Sequence, residues 1–365
     1  MAAKYTTLGH HQEHTYNRHH MVEQFLRKTS MRFPAIMFCY FLLAASSANI
    51  GAAQTATAQD DDVVRTETDL TNLLFTVTDK NKRFITTLRQ QDIRVLEDGV
   101  PQKLFTFQRE TDRPLAVALL IDVSISEEHT LSQEKAAARS FVETIIRSSK
   151  DQAAVIPFTG SAFLEQNLTR DVLSIYRALE RVEVAAPTYT GSGRPISGLP
   201  AGPGRAFPRE GMTAIWDAVS LTASRILAPS TGQRRRAIIL LTDGFDTSSS
   251  VAMNAATNQA IEAETIIYAI GIGDRRYVGV DEGVLRELAE RTGGRAFFPK
   301  KNADLTAAFE SIEQDFRSQY LLAYSSTNKQ RDGKLRQLQI EISNPDLIKD
   351  QLKLRYRPAY VAKPY

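Results

Sequence analysis

Leu115-Ala-Val-Ala-Leu-Leu-Ile-Asp122-Val-Ser124-Ile-Ser126 is the stretch on which the reading of the whole chain turns. Its apolar run is too short to span a membrane and shows no polar alternation, as expected of a strand buried on both faces. Such a strand needs helices above and below it, and the residues downstream supply them in alternation. Residues 131–148 carry apolar positions at helical spacing, Ala153-Ala-Val-Ile-Pro-Phe158 is a second buried strand, and Ala162–Leu168 has the character of an edge strand. Residues 171–182 and 212–226 read as helices. Buried strands follow at Ala237–Thr242 and Thr265–Gly271, and helices near 281–292 and 303–317 flank a short strand at Ala296–Phe298. The pattern predicts an α/β domain over residues 113–318, an open, doubly wound, mostly parallel sheet.

Both flanks change character. Residues 71–112 contain strand-like runs at Leu73–Asp79 and Ile93–Glu97, then the hairpin dipeptide Asp98-Gly99 and a return strand at Lys103–Gln108. Residues 319–365 carry three more runs, at Tyr320–Ser325, Leu335–Ile342 and Gln351–Tyr356. Neither flank is large enough for a core of its own, so the two are expected to pair into one small all-β domain with the α/β domain inserted between them. One region breaks the α/β rhythm. Residues 185–211 are rich in Pro, Gly, Ser and Thr with no expected element, which marks a functional loop or a mobile insertion.

Residues 1–58 read as a leader and 59–70 as a polar, acidic linker. Arg27, Lys28 and Arg32 precede Phe33-Pro-Ala-Ile-Met-Phe-Cys-Tyr-Phe-Leu-Leu-Ala-Ala, and small residues including Ala56-Thr-Ala58 follow. That order is the one a secretory signal peptide shows. The alternative is an uncleaved membrane anchor, and in both readings the rest of the chain lies across the membrane, periplasmic or secreted. Met21 and Met31 offer later starts.

The 365 residues are 42% hydrophobic and 24% charged, a globular composition. A formal net charge of +3, with the basic residues dispersed, argues against nucleic acid as a partner. The run Arg234-Arg-Arg236 stands at the start of a strand and reads as its solvated end. The single cysteine, Cys39, excludes an intrachain disulfide framework and a multi-thiolate zinc site.

The chemistry gathers at strand ends. In an open parallel sheet, ligands bind beyond the carboxyl ends of the strands where the strand order reverses. Asp122, Ser124 and Ser126 follow the first buried strand, and Thr242-Asp243-Gly244 ends a strand expected beside it. Gly211-Met-Thr213 leads into a helix on the same edge. Two carboxylates and three hydroxyls are hard oxygen donors, suited to Mg²⁺, Mn²⁺ or Ca²⁺ rather than to zinc or copper. Each piece alone has an ordinary reading: Ser126 or Thr213 as a helix cap, Asp-Gly as a turn.

Together, Asp-x-Ser-x-Ser, the Thr of Gly-Met-Thr-Ala-Ile-Trp-Asp-Ala and the Asp of Leu-Leu-Thr-Asp-Gly resemble the metal-ion-dependent adhesion site of von Willebrand factor type A domains. The resemblance implies that Asp122, Ser124, Ser126, Thr213 and Asp243 hold a divalent cation. It further implies a protein or peptide partner whose Glu or Asp carboxylate completes the ion's shell. The flanking phrases Ile93–Gln102 and Gln319–Tyr324 resemble secreted acidobacterial-type proteins of this family. Glu127-Glu128 departs from the pattern, where an apolar residue is common, and either raises the local negative charge or reshapes the mouth. Asp246 and His129 read as surface or supporting residues.

An enzyme is not expected. Downstream of the leader only His129 offers an imidazole, and neither a nucleophile elbow nor a phosphate loop is present. Gly271-Ile-Gly273 matches only part of a dinucleotide fingerprint. A scaffold with an inert metal and a carboxylate-only metal hydrolase stand as the alternatives.

Overall fold

A computed structural model describes residues 70–184, 194–196, 212–228, 230, 234–273 and 279–363. The expected signal peptide and nearly all of the 59–70 linker lie outside the described residues, as does most of the 185–211 loop.

The chain opens with β1 (Leu70–Thr78), β2 (Ile93–Glu97), β3 (Val100–Gln102) and β4 (Leu104–Arg109). It continues through β5 (Leu115–Asp122), α1 (Leu131–Ile145), β6 (Gln152–Phe158), β7 (Phe163–Leu164), β8 (Gln166–Thr169) and α2 (Val172–Arg181). After β9 (Arg194–Pro195) come α3 (Ile215–Leu221), β10 (Arg235–Thr242), α4 (Met253–Glu262), β11 (Thr265–Gly271), α5 (Glu282–Arg291), β12 (Ala296–Phe297) and α6 (Asn302–Arg317). The last elements are β13 (Tyr320–Ser325), β14 (Leu335–Ile342), α7 (Pro345–Ile348), β15 (Lys353–Tyr356) and β16 (Ala359–Val361).

Six strands form the α/β sheet in the order β12-β11-β10-β5-β6-β8. All pairings are parallel except that of edge strand β8 with β6. All eight residues of β5 are buried, because each face of the sheet is covered. On one side Val117, Leu119 and Ile121 pack with Phe141 and Val142 of α1 and with Phe309, Ile312 and Phe316 of α6. On the other side Ala118 and Leu120 pack with Ile215 and Val219 of α3, Ala260 of α4 and Leu285 of α5. Burying each large aliphatic side chain stabilises the fold by about 1.5–3 kcal/mol. A sheet is the arrangement that lets one strand bury both sets. Because β6 lies on one side of β5 and β10 on the other, the strand order reverses at the end of β5 that carries Asp122.

The flanking strands make two four-stranded antiparallel sheets, β15-β1-β13-β4 and β16-β14-β2-β3. β1 pairs with β13 and β15, β4 with β13, and β2 with β14. The two sheets share one core, in which Leu73, Phe75, Val77, Tyr320 and Leu322 meet Val95, Leu338 and Ile340. Phe75 stacks on Tyr320 with ring centroids 5.2 Å apart. The described residues, from Leu70 onward, belong to one compact unit.

Local differences from the sequence reading have physical causes. Helix α4 was not expected: its buried positions are Ala256, Thr257, Ala260 and Ile261, small side chains that pack closely on α3 without writing a broad apolar stripe. The helix expected from 212 begins at Ile215, and ends in a π-helical turn at Thr222–Leu227. Residues 212–214 are drawn out of it by Thr159, whose hydroxyl donates to Met212 O at 2.8 Å and whose carbonyl accepts from Ala214 N at 2.8 Å. Within 185–211, where no element was expected, Arg194–Pro195 pairs with Phe163–Leu164.

Candidate metal centre

Asp122 ends β5 with its side chain fully buried. Both carboxylate oxygens are held. Oδ1 accepts from Ser124 N at 3.0 Å, and Oδ2 accepts from the Thr242 hydroxyl at 2.7 Å. The first bond is an Asx-type turn, which is what Asp followed two residues later by Ser favours. It folds the chain back so that Ser124 and Ser126 stand beside each other, their hydroxyl oxygens 3.0 Å apart. Ser124 is buried, while Ser126 lies exposed at the rim.

Asp243 follows β10 directly. Parallel pairing of β10 with β5 sets Leu241 against Ile121, so Asp243 and Asp122 leave the sheet together. Its Oδ1 accepts from Phe245 N at 3.0 Å. Gly244 takes φ +90°, a conformation that costs a residue with a Cβ, so the Asp-Gly pair makes the turn possible. Gly273 serves the same corner by absence of bulk. A Cβ there would lie 2.5 Å from Gly279 O and 3.1 Å from Asp243 Cβ. The Gly271-Ile-Gly273 sequence is therefore accounted for by close packing under the site, with no nucleotide needed.

Thr213 is buried at the same edge, pinned through its backbone. Its N–H donates to the Thr247 hydroxyl at 2.8 Å, and its carbonyl accepts from Thr247 N at 2.9 Å and Ser248 N at 3.0 Å. Asp246 supports α3 from the same loop, its Oδ1 accepting from Ile215 N at 2.8 Å and from the Ser249 hydroxyl at 2.5 Å. His129 is exposed.

The carboxylates are under electrostatic load. Burial, with the neighbouring Asp243 charge adding to it, pushes Asp122 up to about 6 despite its hydrogen bonds. Asp243 is raised too, chiefly by burial. Glu127, which the sequence marked only as a departure, is fully buried in the one-turn 3₁₀ helix Ile125–Glu127. Single ligand oxygens of Asp122, Glu127 and Asp243 all lie within 4.8 Å of one another. Three carboxylates that close repel when ionised, and a divalent cation relieves the repulsion. The donors are all hard oxygens, so the residues present fit such an ion. It would be held by Asp122 and Asp243 with the Ser124, Ser126 and Thr213 hydroxyls, and would supply positive charge at the rim.

An open α/β sheet with an oxygen-only cation cluster at its strand-order reversal defines a class of metal-dependent binding domains. Residues 205–313, within the α/β part, match the family model described as von Willebrand factor type A domain. The matched stretch contains Thr213 and Asp243. Asp122, Ser124 and Ser126 precede it and are joined to it by the sheet.

Solved structures with a similar fold include an aerotolerance-related membrane protein from Bacteroides fragilis, 20% identical, at TM-score 0.41 over 55% of this chain and 98% of that one. A von Willebrand factor type A protein from Catenulispora acidiphila is 13% identical, at TM-score 0.45 over 82% and 74% of the two chains. Proximal thread matrix protein 1 from the mussel byssus, solved with a zinc-occupied MIDAS motif, is 16% identical at TM-score 0.42 over 57% and 50%. Among curated proteins, none matches this sequence.

Proposed function

We propose that this protein is a metal-dependent binding module that works outside the cytoplasm, in adhesion or assembly, and is not an enzyme. The observation that carries the reading is the pairing of Asp122 and Asp243 beside the Ser124 and Ser126 hydroxyls at the rim of the sheet. The ion is Mg²⁺, Mn²⁺ or Ca²⁺, held by Asp122, Ser124, Ser126, Thr213 and Asp243. Its partner is a protein or peptide that offers a Glu or Asp carboxylate at the exposed Ser126 side. With hydroxyls in three of its positions the ion carries only two carboxylates from the chain, which leaves coordination for one from the partner. The basic-then-apolar leader supports export. Among the described residues no helix is long and apolar enough to cross a membrane.

The test is capture of partners by the metal-loaded full chain, by the same chain in chelator, and by Asp122→Ala. A partner retained only by metal-loaded wild type, and lost when one of its own acidic residues is neutralised, supports the reading. Identical captures in all three arms would overturn it. Turnover of a phosphate or peptide ester that dies with Asp122→Ala would favour the hydrolase instead.

A further inference from the structure

We propose that Glu127 is a direct third carboxylate ligand of the ion, and that it makes the centre selective for Ca²⁺ over Mg²⁺. This rests on the metal-centre reading above and deepens it. Glu127 has no exposed surface, and its Oε2 accepts a 2.6 Å hydrogen bond from the Thr130 hydroxyl. Oε1 has no hydrogen-bond partner although it is wholly shielded from solvent. Leaving a buried carboxylate oxygen unpartnered is costly, and such an atom next to other acids calls for a cation. Glu127 offers an oxygen to the same 4.8 Å cluster as Asp122 and Asp243.

A second misfit points the same way. Glu134 lies on the inward face of α1, in line with Leu131, Ala138, Phe141, Val142 and Ile145, where the helix pattern demands an apolar residue. It is 1% exposed, and its carboxyl lies against Thr130 and the Glu127 carboxyl, a contact between two buried acids that needs a proton or a cation to hold it. The charged groups that act most strongly on Glu127 are acidic ones, Glu134, Asp122 and Asp243. Positive charge held among these groups lowers the energy of all four at once.

The donor count then favours the larger ion. Three carboxylates and three hydroxyls make six donor groups, within the six to eight oxygens that Ca²⁺ accepts, whereas Mg²⁺ keeps several waters and usually takes one or two carboxylates. Three carboxylates also more than neutralise a divalent ion, so an acidic partner side chain would have to displace Glu127 rather than add to it. Glu127 is thus the internal competitor of the partner.

The experiment is calorimetric titration of Ca²⁺ and of Mg²⁺ into the chelator-stripped full chain, as wild type, Glu127→Gln, Glu127→Leu, Glu134→Gln and Asp122→Asn. Wild type should bind Ca²⁺ more tightly than Mg²⁺. Glu127→Gln should weaken Ca²⁺ by at least about tenfold, the scale of losing a group that shapes a metal site, and Mg²⁺ by less. Glu127→Leu, apolar in a buried position, covers the case in which the glutamine variant does not fold. Glu134→Gln should change Ca²⁺ affinity less than threefold, because that residue bears on Glu127 and offers no oxygen to the cluster itself. Unchanged Ca²⁺ binding in both Glu127 variants, or an equal loss in Glu134→Gln, would overturn the assignment while leaving the metal centre intact. If wild type binds neither ion, the metal-centre reading fails and takes this inference with it.

Discussion

The Thr242 hydroxyl, on β10, donates at 2.7 Å to Oδ2 of Asp122, at the end of the neighbouring strand β5. The same hydroxyl oxygen accepts from Gly244 N at 3.2 Å. One side chain therefore locks the carboxylate of the first strand to the turn that carries Asp243. Thr242→Val keeps the shape and removes both bonds. Hydrogen bonds to charged groups contribute about 1.5–3 kcal/mol, and a loss of that size is expected in urea denaturation with metal present. A change below about 0.5 kcal/mol, the scale of an ordinary surface substitution, would show that the strand ends are held by packing alone.

Divalent cations should stabilise the protein by linkage. At a hundredfold excess over the dissociation constant the gain is about 2.7 kcal/mol, seen as a rise in melting temperature. Asp122→Ala should abolish the gain, because it removes a carboxylate on which the ion would sit. Ser124→Ala should shift the half-saturating metal concentration upward without unfolding the domain. Melting temperatures indifferent to millimolar Mg²⁺, Mn²⁺ and Ca²⁺ alike would contradict the central reading.

Acid sensitivity should come in part from Asp151, far from the metal. Its carboxylate is fully buried and accepts from Leu115 N at 2.8 Å, Arg147 N at 3.0 Å and Arg147 Nε at 2.6 Å. Burial opposes ionisation, but the Arg147 side chain and these backbone donors outweigh it and hold the acid below its ordinary 3.8. A group depressed in the folded state stabilises above its unfolded value and loses that contribution as pH falls through the folded value. Wild type should therefore lose stability below about pH 4, and Asp151→Asn should lose less over the same range while being weaker at pH 7. Parallel stability curves for the two proteins would remove Asp151 from the account.

Glu97 ties the two β sheets together and offers a control away from the metal. It is 2% exposed and accepts from Tyr324 OH at 2.8 Å, Tyr360 OH at 3.0 Å and Ser326 Oγ at 2.5 Å. Glu97→Leu leaves those hydroxyls without their acceptor, at a cost on the order of 2 kcal/mol. Metal titrations of this variant should match wild type. A change in metal affinity as large as the change in stability would mean that the β domain and the metal centre are energetically coupled.

The amino-acid sequence determined the class of fold because strands buried on both faces must be apolar throughout, as β5, β10 and β11 are. It also marked the site's conspicuous donors, since Asp122, Ser124 and Ser126 sit at fixed spacing after one strand and Asp243 directly after another. Helix α4 was hidden because small residues such as Ala256 and Ala260 pack by close approach and leave little periodic signal. Glu127 and Glu134 were legible only as charges, one of them just past the Ser126 motif. Whether a glutamate points to water or into the core depends on the 3₁₀ turn at Ile125–Glu127 and on the seating of α1 against the sheet. Only the tertiary structure decided that both are buried, and that Glu127 shares one cluster with Asp122 and Asp243, because burial arises from the packing of elements distant in sequence.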